Sequence, residues 1–200
     1  MKKILFLFLA ACFFFSCEKE TIVIPQQHAG RTVLAFFWAD NSLNFSLRDN
    51  IQTMMQGLQA MKDSAALLVY WDGEASDISW PEPCIVEYVT NGQGGINSLS
   101  KGTIDAMMAD KNTSIYDLIG IGNIRKKYPP QTSTEKTVMQ TVIGDMMSVY
   151  PSESYGIIFG SHGSGWLPTI AGTRSIGQDG GWHSSDTALI PELAEVLRTV

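Results

Sequence analysis

The chain has 200 residues, a formal net charge of −6 and 44% hydrophobic residues. This length is sufficient for one globular domain with a hydrophobic core of its own. The acidic balance and the lack of a dense Lys/Arg cluster exclude nucleic acid as the expected partner. The longest basic run, Arg125-Lys126-Lys127, stands beside Tyr-Pro-Pro and is interpreted as a solvated helix end.

The first residues have the composition of a targeting segment. Lys2 and Lys3 precede an apolar stretch, Ile4 to Ser16, which is too short to span ~30 Å of hydrocarbon as a helix. A cysteine that closes such a stretch resembles a bacterial lipoprotein signal, in which that cysteine is acylated and becomes the new N-terminus. The segment therefore predicts a lipid-anchored protein of the bacterial cell envelope, on the periplasmic or the surface-exposed face of the outer membrane.

Two cysteines compete for the lipidation site. Cys12 follows Leu-Ala-Ala, the better match to the lipoprotein pattern, but it leaves a very short apolar region before it. Cys17 follows an apolar region of full length and precedes the polar Glu-Lys-Glu. We favour Cys17, with Cys12 as the alternative, and this choice predicts a signal peptide over 1–16, a tether over 17–31 and a folded part over 32–200.

The first half of the folded part alternates buried strands with an amphipathic helix. The continuous apolar runs Thr32 to Trp38 and Ala65 to Trp71 predict strands covered on both faces. Between them, apolar residues recur at helical spacing, at Leu47, Ile51, Met54, Leu58 and Met61. Cys84 to Thr90 predicts a third, shorter strand.

The second half begins with a stretch, 91–131, that fits no pattern. Thr132 and Glu135 then fit a capping box at the start of a helix, whose inner face we predict to carry Val138, Val142, Met146 and Val149. Tyr155 to Phe159 predicts another buried strand, and a glycine-rich connection follows to Gly181. A last helix starts near Pro191 and presents Leu193, Val196, Leu197 and Val200.

This succession of strands and helices is typical of an α/β protein with a mainly parallel sheet. The functional crevice of such a sheet lies beyond the carboxyl ends of its strands. Asp40, Asp72 and His162 each follow a predicted strand. We therefore expect all three at that edge.

Cys84 is the cysteine that remains in the folded part. One cysteine cannot form an internal disulfide, and no Cys/His cluster has the spacing of a metal site, so we expect no metal and no cofactor. We interpret Cys84 as a small buried residue that begins a strand rather than as a reactive thiol.

His162 lies in a glycine-rich loop. One interpretation is that it is a turn residue whose ring forms a hydrogen bond with a nearby carbonyl. Gly160, Gly163 and Gly165 would instead let a substrate backbone approach, with the Gly163 N–H placed to hold an oxyanion. An imidazole can take a proton from a nucleophile and return one to a leaving amine.

Nucleotide binding, a flavodoxin-like domain and a serine hydrolase fit the sequence less well. The glycine order does not match a dinucleotide or P-loop motif, and no phosphate-binding loop supports a flavodoxin-like domain. The serines beside His162 have no nucleophile-elbow pattern, so a Ser-His-Asp hydrolase is also disfavoured.

An apolar strand that runs into Ser161-His-Gly-x-Gly-Trp166 resembles the histidine motif of clostripain-family cysteine peptidases, relatives of gingipains, legumains and caspases. The segment 32–43, which ends in Ala-Asp-Asn-Ser-Leu, is similar to the family's first strand and turn. The segments 176–179 and 185–193 are similar to those that lead to the helix after the histidine. The resemblance spans roughly residues 31–200, with a weak middle.

The resemblance implies a caspase-like three-layer α/β sandwich and a Cys–His dyad. His162 would be the general base and acid, the Gly163 N–H would bind the oxyanion, and peptide bonds after Arg or Lys would be the substrates. The family's cysteine ends the strand after the Pro191 helix, and Cys12, Cys17 and Cys84 all precede His162.

We therefore expect the nucleophile beyond Val200, in a longer peptidase whose domain is incomplete and inactive in these 200 residues. The alternative is a non-catalytic envelope lipoprotein that uses the same fold for binding. Arg174, the sole Lys or Arg between His162 and Arg198, is a possible self-processing site, against the alternative of a solvated loop arginine.

Overall fold

A computed structural model of the protein describes residues 29–61, 65–73, 82–162, 175–179 and 186–200. Within these ranges the elements, in chain order, are β1 (Ala29–Ala39), α1 (Asn44–Ala60), β2 (Ala65–Gly73), β3 (Cys84–Val89), α2 (Lys101–Ala109), α3 (Ile115–Ile121), β4 (Asn123–Lys127), α4 (Lys136–Val149), β5 (Ser152–Gly160), β6 (Ser175–Asp179), β7 (Asp186–Leu189) and α5 (Ile190–Thr199). No helix in these ranges has both the length and the apolar character that a membrane crossing needs.

Five strands form one sheet in the order β4-β3-β2-β1-β5. β1 pairs in parallel with β2 on one side and with β5 on the other. β3 runs antiparallel to β2 and to β4, while β6 and β7 form a separate antiparallel pair. The predicted α/β fold with a sheet built around parallel strands is confirmed.

Helices cover both faces of this sheet, which makes the molecule a three-layer sandwich. On one face the α1, α2 and α3 side of the core contains Phe37, Ile51, Val69, Val86, Ile104 and Leu118. On the other face the α4 and α5 side contains Phe36, Tyr70, Ile85, Val142, Met146 and Val196. Both faces of β1 and β2 are buried, and this is the physical reason for their continuous apolar runs.

β5 is less buried than its apolar sequence predicts. It is the last strand of the sheet and pairs with β1 alone among the described residues. Ile158 is 42% exposed, and the other residues from Tyr155 to Phe159 are exposed or half-buried. Among the described residues the prediction of a buried strand is therefore wrong, because an apolar run does not distinguish a central strand from an edge strand.

The predicted faces of two helices need correction. In α1, Met55 is fully buried instead of Met54, which is half-buried, and Met61 lies beyond the helix and is 41% exposed.

α4 begins at Lys136, with Glu135 at its N-cap and no side-chain cap, so the capping box of Thr132 is wrong. The Glu135 N–H instead donates to the Thr132 carbonyl in a turn.

The inner face of α4 is also shifted from its prediction. Met139, Val142, Ile143 and Met146 are its buried residues. Val138 and Val149, which we predicted on that face, are half-buried and pack at its margin.

The stretch 91–131, which fitted no pattern, contains α2, α3 and β4. Arg125, Lys126 and Lys127 lie in β4 and not at a helix end. Each forms an ion pair with a carboxylate of a neighbouring segment, at 3.6 Å to Glu87, 2.5 Å to Asp145 and 2.6 Å to Glu82 respectively. The prediction of a helix end is wrong because these side chains are held along a sheet edge.

The C-terminal part follows its prediction in part. α5 has Pro191 in its first turn and buries Leu193 and Val196. Leu197 and Val200, on the predicted apolar face of the helix, are 43% and 42% exposed among the described residues. The glycine-rich connection also holds a strand, β6, that the sequence did not indicate.

Candidate active site at the carboxyl edge of the parallel strands

The three parallel strands end at one edge of the sheet. Gly160 of β5 pairs with Phe37 of β1, and the next residue of β1, Trp38, pairs with Asp72 of β2. The loops that follow β1 and β5 therefore start side by side. This arrangement confirms the edge at which we expected Asp40, Asp72 and His162.

His162 is half-buried and is held at two points. Its ring Nε2 lies 2.9 Å from the hydroxyl oxygen of Ser42, in the loop after β1. Its carbonyl accepts a hydrogen bond of 2.9 Å from the Gly177 N–H in β6. Contacts from two segments thus fix the backbone and one ring nitrogen, while the residue as a whole stays partly exposed.

Asn41 joins the two loops immediately beside this contact. It is 6% exposed, and its side-chain amide donates to the Trp38 carbonyl at 2.6 Å and to the Ser161 hydroxyl at 3.2 Å. Its side-chain oxygen accepts from the Leu43 N–H at 2.9 Å. The neighbouring pairs Asn41–Ser161 and Ser42–His162 therefore connect the β1 loop to the β5 loop.

Two glycines allow the segments to approach closely. A Cβ on Gly160 would lie 2.6 Å from the Phe37 ring and 2.7 Å from the Leu47 side chain. Gly177 has a φ of +86° and packs against the Trp38 indole, which a Cβ would meet at 3.1 Å. A side chain at either position would push β5 or β6 away from the site.

Asp72 lies at the expected edge, but its carboxylate contacts the loop before α4. Its carboxylate accepts a short hydrogen bond from the Ser133 hydroxyl, which lies 2.6 Å from the Tyr70 hydroxyl. The Trp38 indole N–H donates to the Ser133 carbonyl at 2.9 Å. Asp72 therefore anchors the loop before α4 to the sheet, and no described contact joins it to His162.

Cys84 is fully buried at the start of β3, as we predicted. Burial raises the pKa of its thiol to about 12. Cys84 pairs with Trp71, at the level of Gly160 but three strands away, which is ~14 Å at the usual spacing of strands. It is therefore neither ionised at neutral pH nor within reach of His162.

Five candidate site residues of the sequence lie outside the described residues: Gly163, Gly165, Arg174, Cys12 and Cys17. Within the described ranges, no group of three or more His, Cys, Asp or Glu side chains is arranged to hold a metal ion.

No sequence pattern assigned a functional role to Asn41, Ser42 or Gly177. Asn41 and Ser42 stand directly after a strand that is parallel to the His162 strand, in a run that we interpreted as the end of that strand and the turn after it. Short polar residues at the carboxyl end of a neighbouring parallel strand were a usable signal. Gly177 had none, because its partner is a backbone carbonyl distant in sequence.

Comparison with protein-family models identifies one family. A sequence model described as the clostripain family matches residues 35–200. No protein of curated function matches the chain.

Solved structures of three proteases resemble the chain. A secreted C11 cysteine protease from Bacteroides thetaiotaomicron, in complex with an irreversible peptide inhibitor, shares 25% identity at a TM-score of 0.55 over 86% of this chain and 40% of its own. A B. fragilis cysteine protease shares 27% identity at a TM-score of 0.49, over 71% and 96% of the two chains. An inactive zymogen C11 protease from Parabacteroides distasonis shares 24% identity at a TM-score of 0.50, over 74% and 35%. The chain thus spans less than half of the inhibitor-bound protease and of the zymogen.

Proposed function

Because this chain belongs to the clostripain family of cysteine peptidases, we propose that it forms the histidine-bearing part of a cysteine endopeptidase. The observation that carries the proposal is the position of His162. It lies at the carboxyl edge of the parallel strands, half-buried, with one ring nitrogen held by Ser42 and the backbone held by Gly177. An imidazole that is oriented and still accessible is suited to general acid–base catalysis.

We propose that the nucleophile is a cysteine that follows Val200 in the complete protein. The thiolate is the reactive form of cysteine, and burial keeps Cys84 protonated. Cys84 also lies three strands away from the end of β5, which precedes His162. The outer edge of β5 is unpaired among the described residues, which leaves room for a further strand next to the one that ends at His162. A cysteine at the end of that strand would lie beside the imidazole.

In the proposed mechanism, His162 takes the proton of the cysteine thiol. The thiolate attacks the carbonyl carbon of the scissile bond, and the Gly163 N–H donates a hydrogen bond to the oxyanion. The imidazolium then gives its proton to the leaving amine as the C–N bond breaks. Water, deprotonated by His162, hydrolyses the thioester and restores the thiol.

The proposed substrates are peptides with Arg or Lys before the scissile bond. We make this proposal from the resemblance to the family, whose acidic specificity pocket would pair with a basic side chain. Arg174 lies between His162 and the proposed cysteine and is the candidate self-processing site. If the purified complete protein shows no cut after Arg174 by mass spectrometry, self-processing there is wrong.

The proposed location is the cell envelope, with a lipid anchor on Cys17 or, alternatively, Cys12. A positive n-region followed by an apolar stretch supports export. The similar protease of Bacteroides thetaiotaomicron is described as secreted, which fits a location outside the cytoplasm.

Peptide-amide hydrolysis by the complete protein tests the function. We expect cleavage after Arg or Lys, and a loss of at least ~100-fold in kcat/KM in His162→Ala, because general acid–base catalysis contributes about that much. His28→Ala, which changes a histidine of the predicted tether, is the matched control. Equal activity in His162→Ala would contradict the assignment of His162, whereas no hydrolysis of any peptide would favour a protein that only binds.

A further inference from the structure

We propose that Ser42 is a positioning residue that fixes the tautomer and the orientation of the His162 ring, so that Nδ1 exchanges the proton with the nucleophile. The inference rests on the proposed role of His162 as general base. It concerns the β1 loop, which neither the sequence motif around His162 nor the comparisons assign to catalysis.

The geometry leaves one ring nitrogen for chemistry. The Ser42 hydroxyl lies 2.9 Å from Nε2 of His162, which is a normal hydrogen-bond distance. A neutral imidazole carries one N–H and one lone pair, and the hydrogen bond of one nitrogen selects the tautomer. With Nε2 bonded to Ser42, Nδ1 is the nitrogen that can accept a proton from a thiol.

The direction of this hydrogen bond follows from the proton cycle. In the imidazolium both ring nitrogens are donors, so Nε2–H donates to the Ser42 hydroxyl in that state. If the neutral ring is the Nε2–H tautomer, the same hydrogen bond persists while Nδ1 gains and loses its proton. A hydroxyl that instead donated to Nε2 would have to reverse this bond in each cycle.

Neighbouring contacts hold the two partners in register. Asn41, the residue before Ser42, bonds Ser161, the residue before His162. Asn41 is itself buried and bonded within its own loop to Trp38 and Leu43. The contacts of Asn41 order the β1 loop, and the Gly177 N–H holds the backbone of His162, so the Ser42–His162 hydrogen bond needs little further ordering of the chain.

Ring-nitrogen NMR of the complete protein, labelled with ¹⁵N at histidine, tests the hydrogen bond without any activity measurement. His162→Gln assigns the His162 signals by their disappearance. We expect the Nε2–H tautomer to dominate in the wild type and a larger Nδ1–H fraction in Ser42→Ala. An unchanged tautomer ratio in Ser42→Ala would overturn the proposal.

Kinetics supply the second test. We expect Ser42→Ala to lower kcat about tenfold with little change in KM, as for one lost hydrogen bond, and Ser42→Thr to restore most of kcat because it keeps a hydroxyl. The matched control is Ser98→Ala, since Ser98 is an exposed serine near the opposite edge of the sheet. A kcat of Ser42→Ala equal to that of the wild type would overturn the positioning role.

The two tests separate this proposal from the proposed function. If the wild-type protein hydrolysed no peptide, the proposed function would be ruled out. The tautomer ratio of His162 in Ser42→Ala would still decide whether Ser42 positions the ring.

Discussion

Gly160 is the residue that lets β5 deliver His162 to the edge of the sheet. The position of its absent Cβ is filled by Phe37 and Leu47, at 2.6 Å and 2.7 Å, and both side chains are buried. Neither can move without disturbing the core, so an added methyl group displaces the end of β5.

We therefore predict that Gly160→Ala lowers the free energy of unfolding by about 1–3 kcal/mol, as overpacking usually does, and reduces peptidase activity as well. Denaturant unfolding of the complete protein measures the first effect. The control is Gly57→Ala, because Gly57 lies within α1 with nothing near its Cβ position. There we expect a gain of about 0.5–1 kcal/mol. Equal effects of the two substitutions would contradict this account of Gly160.

Cys84 should resist alkylation while the protein is folded. Its thiol is fully buried, and its pKa is raised from 9.0 to about 12 by that burial. At neutral pH we expect iodoacetamide to modify Cys84 only after unfolding, as measured by peptide mass spectrometry. Modification of the folded protein at the rate of the unfolded protein would show that Cys84 is accessible.

The same pKa shift gives a pH dependence of stability with a definite sign. Between about pH 9 and about pH 12 the unfolded thiol loses its proton and the folded thiol keeps it. The contribution of Cys84 is therefore fully present below pH 9 and is lost as the pH rises, by about 1.4 kcal/mol per unit. We expect Cys84→Ala to weaken the fall of stability in that window.

The position of His162 at the carboxyl edge of the sheet was predictable from sequence, whereas the identity of the atoms it contacts was not, for a physical reason. Glycines around a single ionisable residue after an apolar run are a local signal. The contacts of His162 with Ser42 and Gly177 depend on the pairing of β1 with β5 and on the return of β6. Those are tertiary facts, and no local pattern contains them.

At the scale of elements, the loop before α4 is fixed to the sheet by polar contacts. Ser133 is fully buried, and its hydroxyl bonds Asp72 and lies 2.6 Å from the Tyr70 hydroxyl. Its carbonyl accepts from the Trp38 indole, and Trp38 also packs against Gly177 of β6. One buried residue thus connects β1, β2 and the start of α4 next to the site.

We predict that Ser133→Ala lowers the free energy of unfolding by about 1–3 kcal/mol, because buried polar partners lose a hydrogen bond. Thermal or denaturant unfolding measures the loss. The control is Ser148→Ala, since Ser148 is an exposed serine of α4 that bonds only the Gly144 carbonyl of its own helix. We expect a change within about 0.5 kcal/mol there. A similar loss in both variants would rule out a special role for Ser133.

The elements were predictable where burial is uniform and unpredictable where it is not. β1 and β2 are covered on both faces, so apolar runs predict them directly. The same kind of run misrepresented β5, which among the described residues lies at the edge of the sheet and is partly exposed. β4 was missed because its Arg125-Lys126-Lys127 run is polar and is held by ion pairs with other segments.

At the scale of the whole molecule, the predicted lipid anchor and the proposed peptidase function are tested separately. The N-terminal segment, which we predict to be a lipoprotein signal, predicts a lipid on Cys17. Metabolic labelling of the complete protein with a fatty-acid analogue should therefore be lost in Cys17→Ser and retained in Cys12→Ser. The reverse pattern would place the anchor on Cys12. If the wild-type protein were not labelled, the lipid anchor would be ruled out.

The most direct test of the account is covalent labelling of the complete protein with a thiol-directed Arg or Lys peptide analogue, followed by mass spectrometry. We predict that the wild type is labelled on one cysteine that follows Val200, and that His162→Ala is labelled far more slowly. The 200-residue chain alone should not be labelled. Labelling of Cys84, or equal labelling of the wild type and His162→Ala, would contradict the claim that His162 activates the nucleophile of a cysteine peptidase.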